Sequence, residues 1–328
     1  MLAEQPRRLA IWLGSITLSL LAVLPAAVQI QAAHAAGAVL VFTTHKAGTY
    51  VCDSLMRTWA ARHDLSYGYN STVLGRQTSC NTAVCFRFLM DRPGTFSFDG
   101  VSQVVFCVRD PFEMIVSEYQ FVRAGGDYDS SSASMKQSFR PPRALLAPIS
   151  TNTSISYVDY MRSVSAEEGL RTASSFILTA FLDAVHAAWR SAEARRGSNV
   201  IVLRMEDYAR SSGSFNATMR SLFERLDGPR ALGIEQDVAE ATRFDMHVRK
   251  PASYLKHSSS KEVKPRLRAA LRRVLDENRR ICERVRRSQV VLGYGPVECR
   301  GRSDEVTRLY KTRALRAMGP SRARPTRV

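Results

Sequence analysis

Three short apolar runs punctuate the chain, and each gives way to a segment whose apolar residues recur at helical spacing. The first, "AVLVFTTH" (residues 38–45), has the β-branched content of a buried strand, and Cys52, Leu55, Met56 and Trp59 then fall on one stripe of a helix. "VSQVVFCV" (101–108) predicts a second strand, followed by a helix over "DPFEMIVSEYQF" with its core stripe at Phe112, Ile115, Val116 and Tyr119. That helix has a written start: Asp110 suits the cap, Pro111 the first helical position, and Glu113 the carboxylate of a capping box. A helical pattern over about 172–194 precedes a third strand, "NVIVLRMEDY", and "SFNATMRSLFERLDG" predicts a helix that stops at Gly228. Strands alternating with helices predict an α/β domain with a parallel sheet flanked by helices, whose ligands gather at the carboxyl ends of the strands.

The pattern fails in three places. Residues 124–150, rich in Gly, Ser and Pro, read as a long loop. The tail 301–328 is basic, lacks apolar periodicity and reads as disordered. At the other end, 1–8 carries Arg7 and Arg8 and reads as a short cytoplasmic N-terminus, while 9–33 is an uncharged span long enough to cross a bilayer. Its small residues, "AAHAAG", also suit cleavage, so it reads as a signal anchor or a signal peptide. One domain, 38–300, remains for the fold.

The 328 residues carry a formal charge of +17, with a sequence pI near 10.1, so anionic partners are favoured. Part of that charge lies in 266–287, where Leu267, Leu271, Val274, Ile281 and Val285 keep helical spacing and leave the arginines on a solvated face. Asn70, Asn152 and Asn216 open glycosylation sequons, which fits a lumenal passage and separates the chain from nucleic acid. The six cysteines include the close pairs Cys80/Cys85 and Cys282/Cys299, which could bridge, and no CxxC pair that would hold zinc.

The chemistry starts in the turn "THKAGTY". Where a strand feeds a helix, the amides of Ala47, Gly48, Thr49 and Tyr50 point at whatever sits at the helix N-terminus, and an anion is the natural occupant. Gly48 permits close approach, the Thr49 hydroxyl adds a donor, and Lys46 adds charge. Because Lys46 precedes the glycine, the turn is not a Walker A loop. Alone, it reads equally well as a tight connection with a solvated lysine. The second unit changes the balance: Arg109 stands at the end of its strand, and Ser117, eight residues on, lies off the core stripe. Two neighbouring strand ends would then hold two anionic groups.

With both units in view, the chain resembles the sulfotransferases that use 3′-phosphoadenosine 5′-phosphosulfate (PAPS). "TTHKAGTY" is similar to their 5′-phosphosulfate loop and "FCVRDPFEMIVSEYQF" to their 3′-phosphate motif, and "VLGYGPV" resembles the ending of the membrane-bound carbohydrate type. The resemblance implies a P-loop-like fold, a Golgi type II membrane protein with a lumenal catalytic domain (secreted if the leader is cleaved), no metal, and sulfuryl transfer to a hydroxyl or amine of a glycan or glycoprotein acceptor. It places Lys46 on the oxygen bridging phosphate and sulfonyl group, Ala47 to Tyr50 around the 5′-phosphate, and Arg109 and Ser117 on the 3′-phosphate. Lys261, in "HSSSKEVK", either joins that site or is a solvated loop lysine.

The acceptor must lose a proton, and here the chain departs from the family's pattern. Asp91 and His63 are the candidate bases by position, while His45 adjoins the loop, where stacking or a local bond also accounts for it. Two rival functions stay open: a nucleotide-dependent kinase, with Glu206 and Asp207 as acidic partners of a metal, and a non-catalytic, membrane-tethered binder of acidic glycans.

Overall fold

The computed structural model describes residues 37–71, 82–89, 98–125, 157–196, 199–227, 233–248 and 263–300. The expected membrane span, Asn152, the segment 126–150 and the basic tail lie outside them, and among the described residues no helix is long and apolar enough to cross a membrane.

Five parallel strands form the sheet, in the order β2-β3-β1-β4-β5. They are β1 (Ala38–Thr44), β2 (Tyr67–Ser71), β3 (Val84–Leu89), β4 (Val101–Val108) and β5 (Val200–Arg204). β1, β4 and β5 are the three expected strands; β2 and β3 add a flank that the apolar runs did not reveal. The helices are α1 (Thr49–Arg62), α2 (Pro111–Arg123), α3 (Tyr157–Ser163), α4 (Ala166–Phe176), α5 (Asp183–Arg196), α6 (Met205–Tyr208), α7 (Ser212–Asp227), α8 (Ile234–Ala241), α9 (Val263–Glu277) and α10 (Arg279–Leu292). A π-helical turn, Ile177–Leu182, joins α4 to α5.

Alternation along each strand builds a core on both faces of the sheet. Val39 and Val41 of β1, with Val105 and Cys107 of β4, face α1, α7 and α8. Leu40 and Phe42, with Val104 and Phe106, face α2, α4, α5, α9 and α10. The stripe Cys52, Leu55, Met56 and Trp59 packs into the first core, and Phe112, Ile115, Val116 and Tyr119 into the second. Thus α1 leaves the end of β1 toward one face and α2 leaves the end of the adjacent β4 toward the other. The gap between two such departures is where open α/β sheets bind ligands.

Local chemistry explains the helix starts. Asp110 accepts a hydrogen bond from the Phe112 amide at 2.9 Å and Pro111 opens α2, as expected. Glu113 does not close a capping box; its carboxylate accepts from Arg268 of α9 at 2.7 Å. The basic stretch 266–287 divides in two because Asn278 caps α10, accepting from the Ile281 amide at 3.1 Å. Leu267, Leu271, Val274, Ile281 and Val285 are buried across both halves.

Cys282 pairs with Cys299, as the spacing allowed. Cys52 pairs with Cys107, 55 residues away, and so ties α1 to β4. Cys85 is also disulfide-bonded, while Cys80 lies outside the described residues. Asn70 stands on β2, and Asn216 lies half-buried within α7 beside Thr242.

The α2/α4 contact has little slack: a Cβ on Gly169 would collide with the ring of Tyr119, itself 1 % exposed. Gly169→Ala is therefore expected to cost about 1–3 kcal/mol by overpacking. Denaturant unfolding measures this; unchanged stability would mean that the two helices part freely.

Candidate functional site

The turn after β1 is built from two left-handed residues, Lys46 (φ 63°) and Gly48 (φ 79°), on either side of buried Ala47. For Lys46 that conformation is strained, and such strain persists only where surrounding contacts impose it. Two bonds hold the turn closed: the Ala47 amide donates to the Thr44 carbonyl at 3.1 Å, and the Thr49 hydroxyl donates to the same carbonyl at 3.0 Å. These correct two expectations. The Ala47 amide and the Thr49 hydroxyl proton are committed to the turn, while α1 presents the amides of its first turn, from Thr49 on, at its N-terminus, its first return bond running from the Cys52 amide to the Gly48 carbonyl at 3.0 Å. Tyr50 follows them on the helix, its side chain 55 % exposed.

Gly48 is required for two reasons. Its φ is positive, and a Cβ there would run into the hydroxyl of Tyr208 on α6. The ammonium of Lys46 lies 2.9 Å from the centroid of the Phe121 ring on α2, a cation–π contact.

Arg109 follows β4 directly, and its Nη1 donates to the Lys46 carbonyl at 3.2 Å. That bond joins the end of β4 to the backbone of the turn after β1. Glu206, on α6 just after β5, lies 3.9 Å from the Arg109 guanidinium, accepts from the Asp110 amide at 3.1 Å and accepts from the Tyr294 hydroxyl at 2.8 Å. Tyr294 follows Gly293, the left-handed cap of α10, so the "LGY" ending delivers its ring to this bond. Burial, and then Glu206, push the Tyr294 hydroxyl pKa well up. Gln289 completes the clamp by donating to Asp110 at 2.8 Å while its oxygen accepts from the Val297 amide at 2.7 Å. Ser117 is half-buried on α2, two turns into the helix that Arg109 introduces.

Sequence reasoning missed Lys264. It begins α9, and its pKa is lowered first by burial and then by the charge of Arg109, with Arg268 adding to the effect. Lys264 and Arg109 therefore lie close enough for like-charge repulsion, which a shared anion would relieve. The signal was a second lysine in "KEVK", three residues beyond Lys261. Lys261 and Asp91 lie outside the described residues.

His63 is not brought to the turn. It caps the far end of α1, about 20 Å along the helix from Thr49 at 1.5 Å per residue. There its Nε2 lies 3.1 Å from Asp237 and 4.0 Å from Asp227. These three residues place ligand atoms within 4.8 Å of one another, yet Arg62 already donates to Asp237 and Trp59 to Asp227, so protein donors meet much of the acidic charge. The cluster ties α1 to α7 and α8, remote from the crevice.

If the turn must stay tight to aim its amides, Gly48→Ala should weaken binding of adenosine 3′,5′-bisphosphate at least tenfold by calorimetry. Adding Tyr208→Phe removes the collision and should restore part of that loss, leaving the cost of the positive φ. Full affinity in Gly48→Ala alone would mean that the turn is not a binding element.

No family profile and no curated protein sequence matches the chain. Among solved structures, the crystal structure of mouse sulfotransferase SULT7A1 complexed with PAP is similar at 12% identity and a TM-score of 0.37, over 88% of this chain and 86% of that one. So loose a likeness leaves fold and site to be argued from the chain's own residues.

Proposed function

We propose that the crevice binds PAPS and that the protein transfers its sulfuryl group to a hydroxyl or amine of an acceptor, a glycan. The observation that supports this reading is the 3.2 Å bond from Arg109 to the Lys46 carbonyl, which joins the two strand-to-helix turns. A nucleotide with an anionic group at each end matches them. The α1 amides and Lys46 face the phosphosulfate, while Arg109, Lys264 and Ser117 hold the 3′-phosphate.

The chemistry follows from charge. As the sulfonyl group moves in line to the acceptor, negative charge grows on the departing phosphate oxygen, where a fixed ammonium stabilises it more than it stabilises the ground state. Positioning and electrostatics supply most of the acceleration, by analogy with phosphoryl transfer.

The kinase alternative needs a hydroxyl and a carboxylate at a metal. In this chain Lys46 precedes Gly48 instead of standing just before such a hydroxyl, which favours the sulfotransferase reading. A glycan acceptor, a lumenal domain and a Golgi type II placement, with secretion if the leader is cleaved, rest on the apolar span 9–33, the sequons and the "LGY" ending. Exposed arginines on α9 and α10, Arg272, Arg279 and Arg287 among them, suit acidic glycans with or without catalysis.

The test is transfer of labelled sulfate from PAPS across a panel of glycan acceptors. Wild-type transfer is expected, with turnover reduced roughly 100- to 1000-fold in Lys46→Ala and a raised KM for PAPS in Arg109→Ala. Salt-sensitive glycan binding without transfer would support the non-catalytic binder, and near-normal turnover in Lys46→Ala would remove that lysine from the mechanism.

A further inference from the structure

Next to Lys46, on the strand side of the turn, stands a second group with the makings of a reacting residue. His45 is 12 % exposed, and its Nε2 lies 2.7 Å from Oε2 of Glu118, a carboxylate with no exposure at all. Its ring stacks on Phe181 at 5.0 Å between centroids with a 20° tilt, and meets Phe121 edge-on at 6.1 Å. Phe121 is also the ring that carries the Lys46 ammonium, so imidazole and ammonium flank one side chain. Phe181 belongs to the π-helical turn between α4 and α5, an irregularity often found at functional sites.

A fully buried carboxylate is costly unless paired, and a hydrophobic side chain of similar size would fill the space on α2 at less expense. What Glu118 provides is orientation. When ionised it can only accept, so the bond requires Nε2 to donate, which puts the lone pair of the neutral imidazole on Nδ1. The aromatic stack fixes the ring plane, and the carboxylate stabilises the imidazolium that forms once a proton is gained. The surrounding charged and titratable groups are Lys46 from the turn, Glu118 from α2, and Tyr157 from α3, whose pKa burial and then Glu118 raise.

We propose that His45 is the general base that activates the sulfuryl acceptor and that Glu118 is its positioning residue. This rests on the sulfotransferase reading above and supplies the base that Asp91 and His63 were expected to provide. In the step, the acceptor oxygen forms a bond to sulfur and its proton passes to Nδ1 of His45. The bond from sulfur to the bridging oxygen breaks with its electron pair remaining on the departing adenosine 3′,5′-bisphosphate, beside Lys46. Base and leaving-group cation thus lie on consecutive residues, and the positive φ of Lys46 separates the directions in which they project.

The experiment compares wild-type protein with His45→Gln and Glu118→Gln. Each amide variant keeps a hydrogen-bonding partner for the buried residue it faces, and thermal melting together with adenosine 3′,5′-bisphosphate binding reports whether fold and nucleotide site persist. His45→Gln is expected to bind the bisphosphate within about threefold of wild type while kcat falls roughly 100- to 10,000-fold, and the acidic limb of the pH–rate profile disappears. Glu118→Gln should lower kcat less, leave KM for PAPS unchanged and move that limb to lower pH, because the neutral amide no longer favours the imidazolium. Should His45→Gln retain over a third of wild-type turnover, or keep the acidic limb, His45 is not the base. Wild-type protein that transfers sulfate while His45→Gln does so equally well overturns this assignment alone, whereas wild-type protein that neither binds the bisphosphate nor transfers sulfate overturns the functional reading and this assignment with it.

Discussion

Two adjacent parallel strands, β1 and β4, send their following helices to opposite faces of the sheet, and the rest of the site depends on that divergence. If both helices lay on one side, their packing would close the gap above the strand ends. Because α1 and α2 part, a crevice opens between them, lined by the amides that begin one helix and the side chains that introduce the other. The disulfide between Cys52 and Cys107 fastens α1 to β4, so the two walls are covalently tied. The bond from Arg109 to the Lys46 carbonyl connects them again at the rim.

The third wall comes from much later in the chain. Glu206, on α6 just after β5, accepts from the Asp110 amide, Gln289 donates to the Asp110 carboxylate, and Tyr294 donates to Glu206, so that together they fix the start of α2. Buried polar groups of this kind stabilise little on balance when satisfied, yet leave costly orphans when any one is lost. The network therefore acts as a positioning device for Arg109. α9 brings Lys264 and Arg268 to the same rim, where Glu113 balances part of their charge.

What the sequence revealed follows what is local. The cap and proline at the start of α2, the core stripes of α1 and α2 and the break in the backbone at "HKAG" are properties of neighbouring residues, and the structure has them where the pattern placed them. β2 and β3 escaped notice because "YGYNS" is polar and carries a glycine, while "VCFRFL" buries an arginine in its middle. The Cys52–Cys107 pair, the Glu206 and Gln289 clamp and the approach of Lys264 to Arg109 join residues 55 to 179 positions apart, and no periodicity encodes such contacts. Glu118 is instructive: it shares a helix with Ser117 and looks like a solvent-facing acid between apolar neighbours, but the partner that makes it meaningful, His45, is 73 residues away.

The central claim is that one molecule spans the crevice with an anion at each end. Calorimetric titration of the same protein with adenosine 3′,5′-bisphosphate, adenosine 5′-monophosphate and ATP with Mg²⁺ tests it most directly. The account predicts that the bisphosphate binds at least tenfold more tightly than the monophosphate, since only it reaches Arg109 and Lys264 as well as the α1 amides. Equal affinity for the two, or preferential binding of ATP with Mg²⁺, would contradict it.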